Sequence, residues 1–483
     1  MKKSMFRVLS IVLCFALLFG SAVGTSAADD AEISRVSCVV YGDGATGRGF
    51  TWYTAEETEC SIEISVLGID VTSTLDVKYD CGEWEGNYMH KAYVTGLAAG
   101  TIYSYTITAG AATHSGVFST DNGDDIVNFI VGGDVQASSL EAFEVGQKVM
   151  ETAYKFFPVA EFYATLGDYT NDSTNEEWDL YSQTFGGINS VTTHVPITGN
   201  HDSDKGWFNS MFALDTSESV QTNNGVNYSF DYGNVHIAVV NTNDMLAVSN
   251  AQLTWLRNDM NSTDADWKIV LMHKAPYSLG KDIKWPDACY LQKALTAVCD
   301  ETNVDLVMSG HDHMFVRTKA LNDNKVVEQK DGTTYILGGA TGAKRYEFRK
   351  FILDNYFSQD ILATAVSQAN GEYFANGNLD NLDETNKGGI FNTISVVGGA
   401  LALNTYAVND ETLEIKKIDE LTIVKAQGEN KITFTGENVQ KSNVIDTLAS
   451  FADFAAYTLG TWVPMFLKTL PDLLKEYIAT GTF

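Results

Sequence analysis

The hydrophobic pattern takes four characters along the chain. Residues 8–23 form an apolar core without a charge, after the basic start Met1-Lys2-Lys3-Ser4-Met5-Phe6-Arg7 and before small residues at Thr25-Ser26-Ala27-Ala28. That is the pattern of a secretory signal peptide over residues 1–27, and the core is too short for a membrane anchor. Residues 31–121 then read as short strands broken by turn residues, an all-β sandwich with Trp52 on its buried face.

From residue 126 strands and helices alternate, which points to an α/β domain over 126–425. Strands are expected at 127–131, 162–166, 194–198, 267–272 and 304–308, helices at 140–157, 176–185, 251–260 and 290–298, and a hairpin at 228–231 and 235–240. Segments 333–337, 392–397, 401–406 and 412–418 read as antiparallel strands. The Gly- and Asn-bearing stretch 345–390 reads as an insertion over one face. A helical tail fills 426–483, with Leu448, Phe451, Phe454, Ala455 and Leu459 at helical spacing and Leu470, Leu473, Leu474 and Tyr477 recurring after Pro464. The tail is either an amphipathic anchor on a surface or a helical hairpin packed on the enzyme or a partner. Scarce Lys and Arg favour the hairpin.

The length calls for more than one domain, and 45% hydrophobic residues mark a folded protein. The formal charge of −30 becomes −33 once Lys2, Lys3 and Arg7 leave with the signal. Such a surface repels nucleic acid and anionic membranes, so no nucleic-acid partner and no transmembrane helix in the mature chain are expected. Five cysteines remain, too sparse for a disulfide framework. Cys289 and Cys299 are ten apart on a helix, roughly 15 Å along its axis. Cys60 with Cys81 is the one pair to consider.

The chemistry lies in five short stretches. They are Gly-Gly-Asp134-Val-Gln136, Gly167-Asp168-Tyr169-Thr170-Asn171, Gly199-Asn200-His201-Asp202, Met272-His273 and Gly310-His311-Asp312-His313. Each follows an apolar or β-branched run, so each falls at the carboxyl end of a strand, where a ligand is held rigidly beside solvent. Separations of 34 residues from Asp134 to Asp168, 32 from Asp168 to Asn200 and 38 from His273 to His311 each fit one strand–helix–strand unit. The spacing thus brings the groups to one edge of a sheet. In an extended segment residues two apart point the same way, so His311 and His313 can reach one centre. His90, His114, His194 and His236 sit in ordinary settings and read as structural.

This arrangement is similar to the calcineurin-like metallophosphoesterase superfamily, and with the preceding β module it resembles the purple acid phosphatase branch. Tyr88 to Tyr105 resembles the end of a fibronectin type III module, in which a Leu and a downstream Tyr pin a strand corner. The resemblance implies that Asp134 and His313 bind one metal, that Asn200, His273 and His311 bind the other, and that Asp168 bridges them. It implies two divalent ions (Mn, Fe or Zn), a shared hydroxide as nucleophile, and His201 as general acid to the leaving oxygen with Asp202 orienting it. Gln136 stands where many members of the superfamily carry a His, either as a weak ligand or as a donor behind the ligands. The branch places a Tyr three residues after the bridging Asp, where it binds ferric iron and gives the colour. Asn171 stands there instead, which implies a colourless enzyme.

The expected protein is a secreted or cell-surface phosphoesterase acting on small phosphomonoesters. Two rivals are a phosphodiesterase or nucleotide pyrophosphatase on the same dimetal site, and a non-catalytic surface-binding protein.

Overall fold

The computed structural model describes residues 32–425 except 204–205, 223, 245–246 and 356–358, together with 444–480. The expected signal peptide and residues 426–443 lie outside the described residues. Among the described residues, no helix is long and apolar enough to cross a membrane.

Two large sheets carry the molecule. The first has ten strands in the order Ile415–Val424, Ala400–Val408, Gly389–Val397, Ile126–Gly132, Phe162–Thr165, Thr193–Pro196, Ser34–Tyr41, Asp43–Thr54, Asn87–Thr95 and Asp76–Trp84. The second has nine, in the order Tyr228–Tyr232, Val235–Val240, Trp267–Met272, Leu306–Ser309, Thr334–Gly338, Phe315–Thr318, Leu362–Val366, Glu372–Ala375 and Asn378–Leu382. They lie face to face. The Phe162 ring of the first meets the Tyr232 ring of the second at 4.9 Å, and Asn392 Nδ2 donates to the Gly338 carbonyl at 2.9 Å. Their inner faces supply one continuous apolar core, including Phe129, Leu166, Trp267, Met308 and Ile394, all fully buried. Each such side chain contributes about 1.5–3 kcal/mol by leaving water.

The helices start where side chains can satisfy their free N–H groups. Thr174 and Glu177 form a capping box ahead of Asn175–Asn189, and Ser249 with Gln252 does the same ahead of Asn250–Ser262. Asn303 ends the helix Pro286–Thr302 in the left-handed conformation.

Several expectations need correction. The candidate ligands do not share one sheet: Asp134, Asp168 and Asn200 follow strands of the first, His273 and His311 strands of the second. A strand–helix–strand spacing sets which end of a strand a loop occupies. It does not set the sheet, and the hairpin at 228–240 opens a new one. Strand Thr334–Gly338 runs parallel to Leu306–Ser309 and is antiparallel only to Phe315–Thr318. The last strand is Ile415–Val424 rather than 412–418. Part of the stretch read as an insertion over a face instead extends the second sheet through three antiparallel strands.

The N-terminal strands are joined to the rest, not strung on a linker. Ser34–Tyr41 runs parallel to Thr193–Pro196, with Val39 opposite His194. A second small core, with Phe50, Trp52, Tyr105 and Phe118, lies between these strands and a four-stranded sheet. Tyr103 Oη accepts from the Ala98 amide at 2.8 Å beside buried Leu97. Arg48, fully buried, donates to the carbonyls of Gly44, Gly47 and Ser119 and to Thr193 Oγ1. Cys60 and Cys81 are free thiols.

The tail is one nearly continuous helical segment, Val444–Tyr457, Thr458–Trp462 and Val463–Thr480, rather than a hairpin broken at Pro464. It packs on the α/β domain: Tyr290 meets the Phe454 and Tyr457 rings at 5.5 Å, and Trp462 Nε1 donates to the Lys284 carbonyl at 2.9 Å.

Candidate metal centre

Three loops from the first sheet and two from the second meet at the strand ends. Their backbones are laced together: Asp134 N donates to the Gly167 carbonyl at 2.9 Å, Gln136 N to the Asp168 carbonyl at 2.8 Å, and Gly310 N to the His273 carbonyl at 2.8 Å. The turns are too tight for side chains at their glycines. A Cβ on Gly199 would lie 2.0 Å from the Asp168 nitrogen and 2.1 Å from its Oδ1. Asp134, Gln136, Asp168 and His311 all hold positive φ angles without being glycine. Such conformations cost of order 1–3 kcal/mol each and cluster where surrounding structure enforces a functional geometry.

Two groups of potential ligand atoms result. One atom each from Asp168, His273 and His311 lie within 4.8 Å of one another, and so do atoms from Asp134, Asp168 and His313. Asp168 belongs to both. Asn200 Oδ1 lies 2.9 Å from His273 Nε2, which is also 3.3 Å from Asp168 Oδ1 and 3.3 Å from His311 Nδ1. All six side chains named from the sequence as ligands therefore converge.

Two of the three imidazoles are turned by a hydrogen bond at the other nitrogen, and the third faces a carboxylate there. His273 Nδ1 donates to the Leu166 carbonyl at 2.7 Å, and His313 Nδ1 to the Lys344 carbonyl at 2.6 Å. His311 Nε2 lies 3.9 Å from Asp282 Oδ2. Partners behind a ligand in this way set the tautomer and raise the basicity of the inward nitrogen. His313 Nε2 is buried without a hydrogen-bond partner. A buried polar atom left unpaired costs about 1–3 kcal/mol unless something fills the place.

The electrostatics point the same way. Burial raises Asp134 well above the carboxylate range. Burial would also raise Asp168, but the His273 charge and hydrogen bond outweigh it and hold Asp168 low. Burial alone would lower His273, yet Asp168 and Asp134 push it up to about 9. Burial drives His311 well below the usual imidazole range and His313 down to about 4. The protein side chains by themselves thus leave one ionised carboxylate, Asp168, paired with the His273 imidazolium, and hold Asp134 beside them as the acid. Divalent cations fit this cluster: they neutralise both carboxylates and take the inward lone pairs of neutral imidazoles.

His201 stands at the partly exposed rim. Its amide donates to Asp168 Oδ1 at 2.9 Å, and its Nδ1 donates to the Asn171 carbonyl. The sequence predicts that Asp202 orients this ring, but its carboxylate is engaged by backbone amides instead. The Asp202 carboxylate accepts from the amides of Tyr169 at 2.9 Å, Thr170 at 3.3 Å and Gly199 at 2.9 Å, tying two ligand turns together. A carboxylate on so tight a turn meets its own backbone before it can reach the neighbouring ring. Burial, then the nearby Asp168 charge, pushes Asp202 up to about 7.

Gln136 is buried beside the Asp168 turn with neither amide atom hydrogen-bonded. The Tyr169 ring packs in the core against Trp178 and Tyr181 rather than at the site. His90, His114, His194 and His236 lie outside both ligand groups. The sequence reading missed the Asn171 and Lys344 carbonyls, Asp282 and Tyr346, whose ring stacks on His313 at 4.5 Å. Backbone acceptors carry no residue signature, and only Tyr346 and Lys344, in Lys344-Arg345-Tyr346 just after a strand, offered a hint.

The fold and the site together define a two-sheet sandwich whose strand-end loops gather two groups of potential cation ligands. Residues 128–315 match the model of the calcineurin-like phosphoesterase family, so the chain carries a domain of that superfamily, of the purple acid phosphatase-like kind. Its relatives include purple acid phosphatase 18 of Arabidopsis thaliana, 25% identical over 37% of this chain and 43% of that protein. Purple acid phosphatase 22 of the same plant is 23% identical over 50% of this chain and 56% of its own length. The chain spans about half the length of the curated relatives it matches.

Proposed function

We propose that the protein is a secreted phosphoesterase that hydrolyses small phosphomonoesters. The observation that carries this reading is the convergence of Asp134, Asp168, Asn200, His273, His311 and His313, with imidazole lone pairs turned inward and one carboxylate common to both groups. Two divalent ions, one held by Asp134, Asp168 and His313 and one by Asp168, Asn200, His273 and His311, would polarise water and the phosphoryl oxygens.

The remaining chemistry belongs to the chain. Asp202 and the glycine turns keep the ligands from moving apart as charge changes during the reaction. The Asn171 carbonyl holds the Nδ1 proton of His201, so the imidazolium form carries its second proton on Nε2, gives that proton to the departing alkoxide and reverts to the neutral Nδ1–H ring. The neutral ligands Asn200, His273, His311 and His313 keep the centre net positive, as an anionic substrate requires. Support for export is the basic, then apolar, then small-residue start of the chain.

The test pairs elemental analysis of the purified protein with two substrates. About two Mn, Fe or Zn ions per chain are expected, with p-nitrophenyl phosphate preferred over bis-p-nitrophenyl phosphate. A large preference for the diester would move the assignment to a phosphodiesterase. A metal-loaded protein inert on both would favour the surface-binding alternative.

A further inference from the structure

The loop after strand Thr334–Gly338 does more than hold His313. Tyr346 N donates to the His313 carbonyl at 3.0 Å, and the Tyr346 ring stacks on the His313 ring with 14° between their planes. Two ammonium groups share this ring. Lys344 Nζ and Lys281 Nζ each lie 6.0 Å from its centre, although the lysines come from different loops. Steps of 6.0 Å and 4.5 Å therefore connect each ammonium to a candidate metal ligand.

Neighbouring cations are already paired. Arg345 makes a bidentate bridge to Asp410 at 2.6 and 2.8 Å, and Lys274 meets Asp287 at 2.6 Å. Lys281 and Lys344 are both exposed, and among the described residues neither has a carboxylate in ion-pair contact. In a chain of charge −30, two lysines that share one ring without an ion-pair partner repel each other, and a bound anion removes that cost. Both supporting loops are firm. A Cβ on Gly280, next to Lys281, would meet the Asp312 carboxylate at 2.2 Å, and Arg349 N donates to the Leu279 carbonyl at 2.9 Å. The Lys344 carbonyl is fixed by His313.

We propose that Lys281 and Lys344, around Tyr346, form a subsite for a second phosphate group on the substrate, so that the preferred ester carries another phosphate near the one cleaved. This rests on the phosphoesterase reading and narrows its substrate class. Lysine supplies a mobile point charge rather than a planar fork, which suits a tetrahedral anion that arrives with substrates of differing length.

The experiment uses the metal-loaded protein and measures kcat and KM for glucose bisphosphate, glucose monophosphate and inorganic pyrophosphate. The wild type is expected to favour a substrate with two phosphates. Lys344→Met and Lys281→Met should each raise KM for it about tenfold, the loss of one charge-assisted contact worth about 1.4 kcal/mol. In Lys281→Met the monophosphate should be nearly unaffected, whereas Lys344→Met, whose carbonyl also holds His313, is read by the ratio of the KM values for the two substrates. Lysine dependence confined to pyrophosphate would identify directly linked phosphates, and dependence on glucose bisphosphate would identify spaced ones; both support the subsite. Equal losses on the monophosphate, or no loss in either variant, would overturn it. Calorimetric binding of the same ligands separates this from the parent reading. Lysine-dependent preference for two phosphates without turnover sinks the hydrolase and keeps the subsite, whereas turnover without such preference does the reverse.

Discussion

His313 donates its Nδ1 proton to the Lys344 carbonyl and leaves Nε2 buried with no hydrogen-bond partner. One bond thus fixes the ring, selects the tautomer and directs a lone pair at the carboxylates of Asp134 and Asp168. The centre repeats that relation at His273 through the Leu166 carbonyl, so the ligands are set before any ion arrives.

Removing the ions should weaken the fold as well as the activity. Without them Asp134 and Asp168 face each other in a fully buried site. A ligand present at a hundred times its dissociation constant stabilises by about 2.7 kcal/mol. Chelation should therefore lower the melting temperature, and added Mn or Zn should restore it. Asp168→Ala should lose both ions and show little response to chelator in the same melting experiment.

His201→Ala should cut kcat by about 10²–10⁴-fold while leaving metal content near the wild-type value. The loss should be smaller for p-nitrophenyl phosphate, whose leaving group needs little help, than for an alkyl phosphate. Equal losses on both substrates would remove the general-acid role.

Asp202→Ala should act through structure. It leaves the amides of Gly199, Tyr169 and Thr170 without their acceptor inside the protein, at about 1–3 kcal/mol for each one orphaned. Denaturant unfolding should show the loss. Metal affinity should fall with it, because Asn200 and Asp168 sit on the two turns it ties. Gly199→Ala should behave similarly, since its Cβ would enter the Asp168 carboxylate.

Away from the site, His236 gives the fold a pH dependence. Burial alone would lower it, but bonds of 2.7 Å to Asp231 and 2.9 Å to Asp259 push it up to about 9. A raised pKa means the folded state holds the proton more tightly than the unfolded chain, where the value is near 6.5. The stabilisation is complete below that unfolded value and is lost as pH rises through about 9. Urea midpoints measured between pH 6 and 10 should fall over this window, and His236→Gln should flatten the fall.

Much of this was legible in one dimension. The apolar runs ending in Gly-Asp, Gly-Asn-His-Asp, Met-His and Gly-His-Asp-His marked six groups that the fold does bring together, because a ligand at a strand end is a local property of strand and turn. The helix expected at 176–185 starts at Asn175, where the Thr174–Glu177 box, which is also local, caps it. Other features were not local. That strand Thr334–Gly338 runs parallel to its neighbour follows from a crossover, not from its own residues. The tail's path past Pro464 is set by packing of Phe454, Tyr457 and Trp462 on neighbouring elements.

The sequence by itself determined which side chains can bind cations and that they lie at strand ends, since residue type and apolar periodicity are written position by position. Only the tertiary structure decided that two sheets share the centre, that Asp202 ties turns instead of steering His201, and that Lys281 and Lys344 meet at one ring. Those outcomes depend on pairs tens to hundreds of residues apart, whose distances are set by the packing of the whole sandwich.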